Sequence, residues 1–509
     1  MILSHFNLRN IDTNNVDVPD ESIFLLPERV LQFGTGILLR GLPDYFIDKA
    51  NKKGIFNGRI VMVKSTNTGD SAAFDKQDGL YTHCIRGLEN GEQKEENIIN
   101  ASVSRVLSAS TQWEQILDCA HDMNMKVIIS NTTEIGIQLV HEDIRKHPPV
   151  SFPGKLLSFL LERYHAFIGS KESGMCIIPT ELITDNGTKL EAILLELAHL
   201  NGIEAGFIEW LENCNHFCNS LVDRIVPGKP DAAFQKELET SLGFQDQLTI
   251  ISEPYRLWAI EGNEDIRSIL SFAQADDGIV IAPDIEVYRE LKLRLLNGTH
   301  TLACGLSFLS GLATVKDAME NIDLRAYITR VMEEEITPAI PCYVDPSVAR
   351  NFIQTVLDRF GNAQIRHQWL TITTQYSSKM KMRIIPLLIK HYEHHDEVPE
   401  LMALGFAAYL YFMKVSSVSE GKYFGELDGK VYPVNDTQAA LFMTMWKQGS
   451  SEEVVTEVMR DSTFWGKDLS LLPGFSEAVL DKLNRISTDD VLETIRSSMA
   501  KKVLVYNES

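Results

Sequence analysis

The first half of the chain alternates short apolar, β-branched runs with segments of helical spacing. The strand candidates are Val30–Phe33, Arg59–Lys64, Lys126–Ser130, Met175–Pro179 and Gly278–Ala282. Helical spacing separates them, for example at Leu39–Lys52 and at Lys155–Ile168. Strands that alternate with helices predict a parallel sheet with right-handed crossovers, which restricts this half of the chain to an α/β fold.

The pattern changes near Asp284, and helical spacing dominates from there to the end of the chain. Asn297-Gly298 carries a turn signal, and the apolar stretch Ala403–Met413 is too short to cross a membrane and indicates a buried helix. In the first half, Tyr81–Gly87 with Gly91 predicts a hairpin inserted between the α/β units. We therefore predict two domains, an α/β domain at 1–283 and a mainly α-helical domain at 284–509.

Composition narrows the choice of partners. The chain has 509 residues, 44% of them hydrophobic, and a formal net charge of −22. This acidic balance disfavours nucleic acids and anionic membrane surfaces, so a small molecule is the expected partner. The seven cysteines form no CxxC pair, and no apolar run has the length of a signal peptide or a membrane span. We expect a cytoplasmic protein; the sequence leaves its oligomeric state open.

A glycine motif follows the first strand candidate directly. Gly34-Thr35-Gly36 leads from that strand into a helical segment, where backbone N–H groups can approach a pyrophosphate and the helix N-terminus favours its charge. Leu39 stands where the third glycine of a dinucleotide fingerprint is expected, so a tight glycine turn in another α/β protein is an open alternative. The second strand ends at Lys64 and the nearest acid is Asp70, so the sequence does not choose between NAD and NADP.

A second motif, Lys292-x4-Asn297-Gly298-x-His300, brings together an amine, an amide and an imidazole. On a continuous helix these groups share one side, and a break at Asn297-Gly298 would aim them from a helix end. A lysine in a closed, partly apolar pocket has a lowered pKa and exchanges protons near neutral pH. Taken singly, the three residues are better explained as a surface lysine, a helix cap and a buried core histidine, because functional groups with perturbed pKa values are a minority.

No metal site is predicted. Cys214, His216 and Cys218 have a spacing that places the histidine opposite the cysteines on a helix. The segment 391–397 is rich in histidine and acid but lacks the HExxH order, and an exposed helix end explains it better.

With these two motifs the chain resembles the long-chain mannitol dehydrogenase family of polyol and sugar-acid dehydrogenases. The Lys-x4-Asn-Gly-x-His element matches the catalytic signature of that family in residue type and spacing. Further similar segments follow in family order and cover nearly the whole chain. They are Gly34–Arg40, Asn131–Gly136, Phe217–Gly228 and Glu253–Gly262. Segments Leu31–Gly36, Gln77–Gly87, Ser130–Ile137 and Ile178–Gly187 are most similar to members that act on sugar acids.

The resemblance implies a Rossmann-like domain, an NAD cofactor and roles for particular residues. Lys292 would be the general acid/base, Asn297 would donate a hydrogen bond to the substrate oxygen, and His300 would orient the substrate or Lys292. Gly34 and Gly36 would face the pyrophosphate, and the segment 131–134 would border the nicotinamide. The implied cofactor-binding residues are Gln32, Phe33, Gly34, Thr35, Gly36, Ile37, Leu38, Asn131, Thr132 and Glu134.

One departure from the family concerns the substrate. If Asn186-Gly187 is aligned, this chain has Glu181-Leu182 where polyol members have Asp-Asn, so their second catalytic amide is missing. A carboxylate-bearing substrate would also need local cations in so acidic a protein. Lys379 and Arg383, four apart in a segment where the family contacts substrate, are predicted to bind that carboxylate; a basic surface strip is the alternative.

The resemblance implies a reversible NAD-dependent reduction of tagaturonate to altronate in hexuronate catabolism, with NADP not excluded. Reduction of fructuronate to mannonate and a mannitol-type polyol dehydrogenase are the alternatives within the class. A sensor that binds sugar acids without catalysis is the alternative from another class. The retained Lys292, Asn297 and His300 argue against the sensor, because binding alone does not need a general acid/base.

Overall fold

The computed structural model describes residues 1–65, 71–132 and 136–500. The chain divides into two compact units, Met1–Ile285 and Glu286–Ser509. The strands of the first unit are β1 Glu28–Phe33, β2 Arg59–Lys64, β3 Tyr81–Glu89, β4 Glu92–Asn100, β5 Val103–Ser108, β6 Val127–Ser130, β7 Cys176–Pro179, β8 His216–Phe217, β9 Ser220–Asp223, β10 Ile250–Ser252, β11 Leu257–Glu261 and β12 Ile279–Ala282. Its helices are α1 Ile37–Gly41, α2 Pro43–Lys52, α3 Ala72–Lys76, α4 Trp113–Asp118, α5 Phe152–Ala166, α6 Asn186–Leu200, α7 Ala205–Cys214, α8 Ala232–Leu242 and α9 Glu264–Ile269.

The main sheet of the first unit is parallel and has the strand order β5-β2-β1-β6-β7-β8. Counted along the chain as six strands, this is the doubly wound order 3-2-1-4-5-6 of dinucleotide-binding domains. β6 and β7 are buried over their whole length, as expected for central strands that are covered on both faces. The predicted α/β fold is therefore confirmed, and the order reverses between β1 and β6.

The predicted hairpin is present as β3 and β4, which pair antiparallel and form a three-stranded sheet with β10. A further sheet has the order β12-β11-β9. The helix predicted over Leu39–Lys52 is divided in two, because Leu42 leaves the helical region with φ −131° and ψ −77° and Pro43 starts α2. A residue before proline disfavours the helical conformation, which accounts for the break.

The second unit is mainly helical, as predicted. Its helices are α10 Glu286–Glu290, α11 Thr299–Leu309, α12 Val315–Glu320, α13 Ile322–Arg330, α14 Pro346–Gly361, α15 Trp369–Ile372, α16 Tyr376–Lys379, α17 Ile385–Tyr392, α18 Glu400–Phe412, α19 Ala439–Gln448, α20 Ser451–Arg460, α21 Ser462–Trp465, α22 Phe475–Thr488 and α23 Val491–Ala500. A small antiparallel sheet, absent from the prediction, consists of β13 Val415–Ser419, β14 Lys422–Leu427 and β15 Lys430–Pro433.

The core of the second unit lies around α18, which is apolar on all sides and almost entirely buried. Gly405 of α18 and Gly305 of α11 allow these two helices to approach closely. A Cβ on Gly405 would lie 2.7 Å from Leu302 Cδ2, and one on Gly305 would lie 3.2 Å from the Ala408 carbonyl oxygen. Within the described residues, no helix combines the length and the apolar character needed to cross a membrane.

Three stretches of this unit are wound as π-helices, Leu291–Gly298, Val331–Ile336 and Met380–Ile384. In a π-helix the backbone hydrogen bonds join residues five apart, and such segments are frequent at functional sites. The first contains Lys292 and Asn297, and the third contains Arg383. The helix continues from Leu291–Gly298 into α11, so the turn predicted at Asn297-Gly298 was wrong.

Candidate active site

A glycine turn joins β1 to α1 where the main sheet reverses its strand order. Gly34 has φ +131°, and its N–H donates to the Val63 carbonyl at 3.0 Å. A Cβ at Gly34 would lie 2.8 Å from Leu39 Cδ1 and 3.1 Å from the Asn131 carbonyl oxygen. Both the backbone conformation and the space therefore require glycine at this position.

Gly36 differs from Gly34 in the same turn. It caps α1 with ordinary extended angles, φ −66° and ψ 158°, and a Cβ there would meet nothing within 4 Å. Glycine at this position is required by neither the local backbone nor the packing of the described residues. An open surface at the start of a helix fits the close approach of a pyrophosphate.

Leu39, which replaces the third glycine of the fingerprint, is fully buried, and its Cδ1 is the atom nearest to a Cβ on Gly34. The leucine thus fills the space under the turn. Gln32 and Phe33 are buried in β1, and the Phe33 ring packs edge-to-face on Phe152 at 5.2 Å between ring centroids. Thr35, Ile37 and Leu38 are half-buried around the turn.

The loop after β6 lies next to this turn. The Asn131 N–H donates to the Phe33 carbonyl at 3.1 Å, which joins the two loops across the point of reversal. The Asn131 amide donates to the Thr180 carbonyl at 3.1 Å and to its hydroxyl at 3.0 Å. Glu134 and Asp70 lie outside the described residues.

Glu181 fixes the same loop from the end of β7, and sequence analysis did not assign it this role. Its buried carboxylate accepts hydrogen bonds from the Thr132 N–H at 2.8 Å, the Thr132 hydroxyl at 3.0 Å and the Ser130 hydroxyl at 3.1 Å. The neighbouring Leu182 is 62% exposed. The loop after β6 is therefore held by a carboxylate, and an apolar side chain lies beside it.

In the second unit, Lys292 and Asn297 lie one π-helical turn apart, which places them on nearly the same face of the helix. Both are half-buried. Their segment and the third π-helical segment are joined by two arginines. The Arg383 guanidinium donates to the Asn297 carbonyl at 3.2 Å and to the Thr301 hydroxyl at 3.1 Å. The Arg294 guanidinium donates to the Met382 and Arg383 carbonyls at 2.8 and 2.9 Å.

Glu290 holds the guanidinium of Arg294 through a buried ion pair at 2.8 Å. The structure thereby brings the predicted substrate-binding residue Arg383 to the helix of the predicted catalytic residues. This proximity was not readable from the sequence, in which Asn297 and Arg383 are far apart.

His300 lies among aromatic rings. It stacks on Phe360 with 4.1 Å between ring centroids and meets His367 edge-on at 5.2 Å. Its Nε2 is buried and has no hydrogen-bond partner among the described residues. Burial holds the pKa of His300 well below its ordinary value, and the nearby charges of His367, Arg359, Arg383 and Lys379 lower it further. The imidazole is therefore neutral near pH 7.

Lys379 is half-buried and donates to the Ile372 carbonyl at 2.7 Å. Burial lowers its pKa, and Arg383 lowers it further, so the two cations lie close to each other. Arg359 and His367 belong to the same group of basic side chains and were missed by sequence analysis. Only the positions of their segments in space, and no motif, bring them to His300.

Side chains that could bind a metal are not clustered in the part of the chain that the structure describes. Within residues 1–65, 71–132 and 136–500, no group of three or more His, Cys, Asp and Glu side chains could hold a metal ion. Of the residues weighed for zinc, Cys218 contacts Cys176, with 3.7 Å between the two sulfur atoms.

A parallel sheet in doubly wound order with a glycine turn at its point of reversal defines an α/β protein of the dinucleotide-binding class. The family profile of the mannitol dehydrogenase Rossmann domain matches residues 28–269, and that of the mannitol dehydrogenase C-terminal domain matches residues 284–487. The chain belongs to the mannitol dehydrogenase family.

Individual relatives match over almost the full length. The chain is 36% identical over 463 residues to the altronate oxidoreductase of Bacillus subtilis, covering 90% of this chain and 93% of the relative. It is 35% identical over 506 residues to that of Yersinia enterocolitica, covering 97% and 99%.

Two solved structures have the same fold. A ternary complex of Pseudomonas fluorescens mannitol 2-dehydrogenase with NAD and D-mannitol has a TM-score of 0.68 at 21% identity and covers 98% of this chain and 100% of that one. Substrate-free D-sorbitol dehydrogenase has a TM-score of 0.77 at 20% identity and covers 97% and 100%.

Proposed function

We propose that this protein is a reversible NAD-dependent oxidoreductase that reduces tagaturonate to altronate. Curated relatives named altronate oxidoreductase align with it over 90% of the chain or more. The observation that supports an acidic substrate is the pair of cations Lys379 and Arg383. The Arg383 guanidinium donates to the backbone carbonyl of Asn297, and Lys379 lies close to it. In a chain of net charge −22, half-buried cations beside the predicted catalytic helix favour a carboxylate over a neutral polyol.

The Gly34–Gly36 turn would hold the cofactor pyrophosphate, and the loop after β6, fixed by Glu181, would border its nicotinamide. NADH supplies the hydride that reduces the ketone carbon. NAD is the expected cofactor. Because β2 ends in Lys64 and not in the acidic residue that typically binds the ribose of NAD, NADPH is also tested.

In this proposal Lys292 gives a proton to the substrate oxygen as the ketone is reduced and removes the hydroxyl proton in the reverse direction. The Asn297 amide donates a hydrogen bond to the same oxygen, where negative charge develops. His300, neutral and stacked on Phe360, orients the substrate without adding charge. Lys379 and Arg383 hold the carboxylate away from the reacting carbon.

A substrate panel tests the reaction. Tagaturonate, fructuronate and fructose are each assayed with NADH and with NADPH by the loss of nicotinamide absorbance. We expect tagaturonate with NADH to have the highest kcat/KM. A preference for fructuronate or fructose would move the assignment to one of the alternative dehydrogenases, and no turnover with any pair would leave the non-catalytic sensor.

Two lysine variants, one at the candidate site and one on the surface, test the mechanism. Lys292→Met should reduce kcat by about 10²–10⁴-fold, the usual contribution of a general acid/base, while NADH binding is retained. Lys447→Met, which removes an exposed lysine of α19, is the matched control and should leave kcat unchanged. Turnover of the Lys292 variant close to that of the control would refute its role as the general acid/base.

A further inference from the structure

His367 is a basic side chain of the second unit that neither the motifs nor the mechanism uses. It is half-buried, and its ring meets the ring of His300 edge-on at 5.2 Å with an interplanar angle of 71°. Its backbone is fixed on both sides, since its N–H donates to the Ile365 carbonyl and its carbonyl accepts from the Val315 N–H, both at 2.9 Å. The imidazole is therefore held in place beside a predicted catalytic residue.

Charged groups approach this pair of rings from several elements. Lys379 from α16 acts on both histidines, while Arg359 from α14 and Arg383 from the third π-helical segment act on His300. Burial lowers the pKa of His367, and Lys379 lowers it further. His367 is consequently neutral near pH 7, first because it is partly buried and second because Lys379 lies near it.

Acidic groups near these elements have other partners. Asp436 accepts from the Ser377 N–H at 2.8 Å and raises the pKa of Lys379. Asp317 on α12 accepts from the Thr314 N–H at 2.9 Å, and Asp358 on α14 accepts from the Gln354 amide at 2.9 Å. Arg366, the neighbour of His367 in the chain, is exposed to solvent.

An anion that enters such a group changes the balance of charge on the imidazole. A carboxylate within a few ångströms favours the protonated ring and offsets the repulsion from the lysine and the arginines. Anion binding and proton uptake are then linked, and each strengthens the other. A neutral polyol has no such effect, so the linkage discriminates between acid and polyol substrates.

We propose that His367 completes, with Lys379 and Arg383, the binding site for the substrate carboxylate, and that its imidazole takes up a proton when the sugar acid binds. This inference rests on the proposed function, because it uses the same substrate. It adds a third cation at the moment of binding, and it predicts that affinity for the sugar acid increases as the pH falls toward 6.

Calorimetry measures this proton directly. Altronate is titrated into the NADH-saturated protein near pH 7 in two buffers of different ionisation enthalpy. Altronate and NADH are both in the reduced form, so they cannot react with each other. We expect wild-type protein to take up a fraction of a proton. His367→Asn should abolish that uptake and weaken binding roughly fivefold or more. His199→Asn, which removes an exposed histidine of α6, is the control and should match wild type.

Two further measurements make the result decisive. His367→Phe keeps an aromatic ring beside His300 and should also lose the uptake, which covers the case in which the asparagine variant does not fold. Altritol, the neutral polyol with a hydroxymethyl group in place of the carboxylate, should bind without proton uptake. Undiminished uptake in both His367 variants would overturn the inference.

The inference and the proposed function fail separately. If tagaturonate is reduced but the uptake does not depend on His367, the reaction stands and the role of His367 is refuted. If altronate binds with His367-dependent uptake but tagaturonate is not reduced, the carboxylate site stands and the reaction is refuted. If altronate does not bind but tagaturonate is reduced, only the role of His367 is refuted, and if neither occurs, both are refuted.

Discussion

Replacing Gly34 with alanine tests whether the glycine turn is built as the structure describes. Its φ of +131° belongs to a region that other residues avoid, and the new Cβ would lie 3.1 Å from a backbone oxygen that cannot move without disturbing β6. The backbone strain amounts to about 1–3 kcal/mol. Moving the Leu39 methyl from 2.8 Å adds about 1 kcal/mol.

Together these effects lower the free energy of unfolding by about 2–4 kcal/mol, which for the unit Met1–Ile285 corresponds to a melting temperature about 3–7 °C lower. The assay is thermal unfolding followed by circular dichroism, with NADH binding measured by fluorescence titration. Gly34→Ala should be impaired in both measurements, since the strained turn also displaces the pyrophosphate-binding backbone.

Gly36→Ala is the matched control two residues away. Its Cβ meets nothing within 4 Å, so its melting temperature should equal that of wild type, while the added methyl weakens NADH binding by about tenfold. The reasoning is refuted if Gly34→Ala has the same melting temperature as wild type. It is equally refuted if Gly36→Ala destabilises the fold but binds NADH normally.

Other predictions follow from particular contacts. Glu181→Gln removes the charge that strengthens the hydrogen bonds from Thr132 and Ser130, and it replaces the oxygen that accepts from the Ser130 hydroxyl with an amide donor; we expect about 1–3 kcal/mol less stability and weaker NADH binding, checked by the same two assays. His83 is buried and its pKa is held well below the ordinary value by burial, then by Arg224 and Arg40, so the folded protein binds fewer protons than the unfolded chain. Stability should therefore fall between pH 6.5 and 5 by up to about 2 kcal/mol, and His83→Gln, compared by urea unfolding, should lose less. A chelator should leave kcat unchanged, because the proposed chemistry uses a lysine; inhibition that added zinc reverses would contradict it.

Local patterns predicted the fold of the first unit closely. Arg59–Lys64 coincides with β2, and Val30–Phe33 lies within β1, because buried parallel strands leave uninterrupted apolar runs in the sequence. Glycine after such a strand then predicted the turn at Gly34. The predicted helix failed only at Leu42, where the effect of the following proline was not considered.

The turn predicted at Asn297-Gly298 was wrong for a different reason. Gly298 is buried and has helical angles, φ −64° and ψ −46°, and a Cβ there would meet Ile384 Cδ1 of the third π-helical segment at an ordinary contact distance of 3.6 Å. The residue therefore lies within a continuous helix that packs against a neighbouring segment, and no turn forms there. A local motif cannot distinguish these uses, because the neighbour comes from a distant part of the chain.

The candidate site was predicted only in part for the same reason. Lys292, Asn297 and His300 share one motif, and Lys379 and Arg383 lie in a short basic segment. Arg359 and His367 carry no local signal; α14 packs on the segment Leu291–Gly298, and the rings of Phe360 and His367 contact His300. Long-range packing therefore determines which cations surround the imidazole, and sequence spacing does not report it.

The double attachment of Arg383 limits how substrate preference can be redesigned. Its guanidinium binds the Asn297 carbonyl and the Thr301 hydroxyl, so it supports the helix of the predicted catalytic residues as well as providing charge. Both bonds come from the same terminal nitrogen, so truncating the side chain would remove both at once. Engineering toward neutral sugars should therefore begin at Lys379, whose amine donates to the Ile372 carbonyl at the end of α15, and leave the arginine in place.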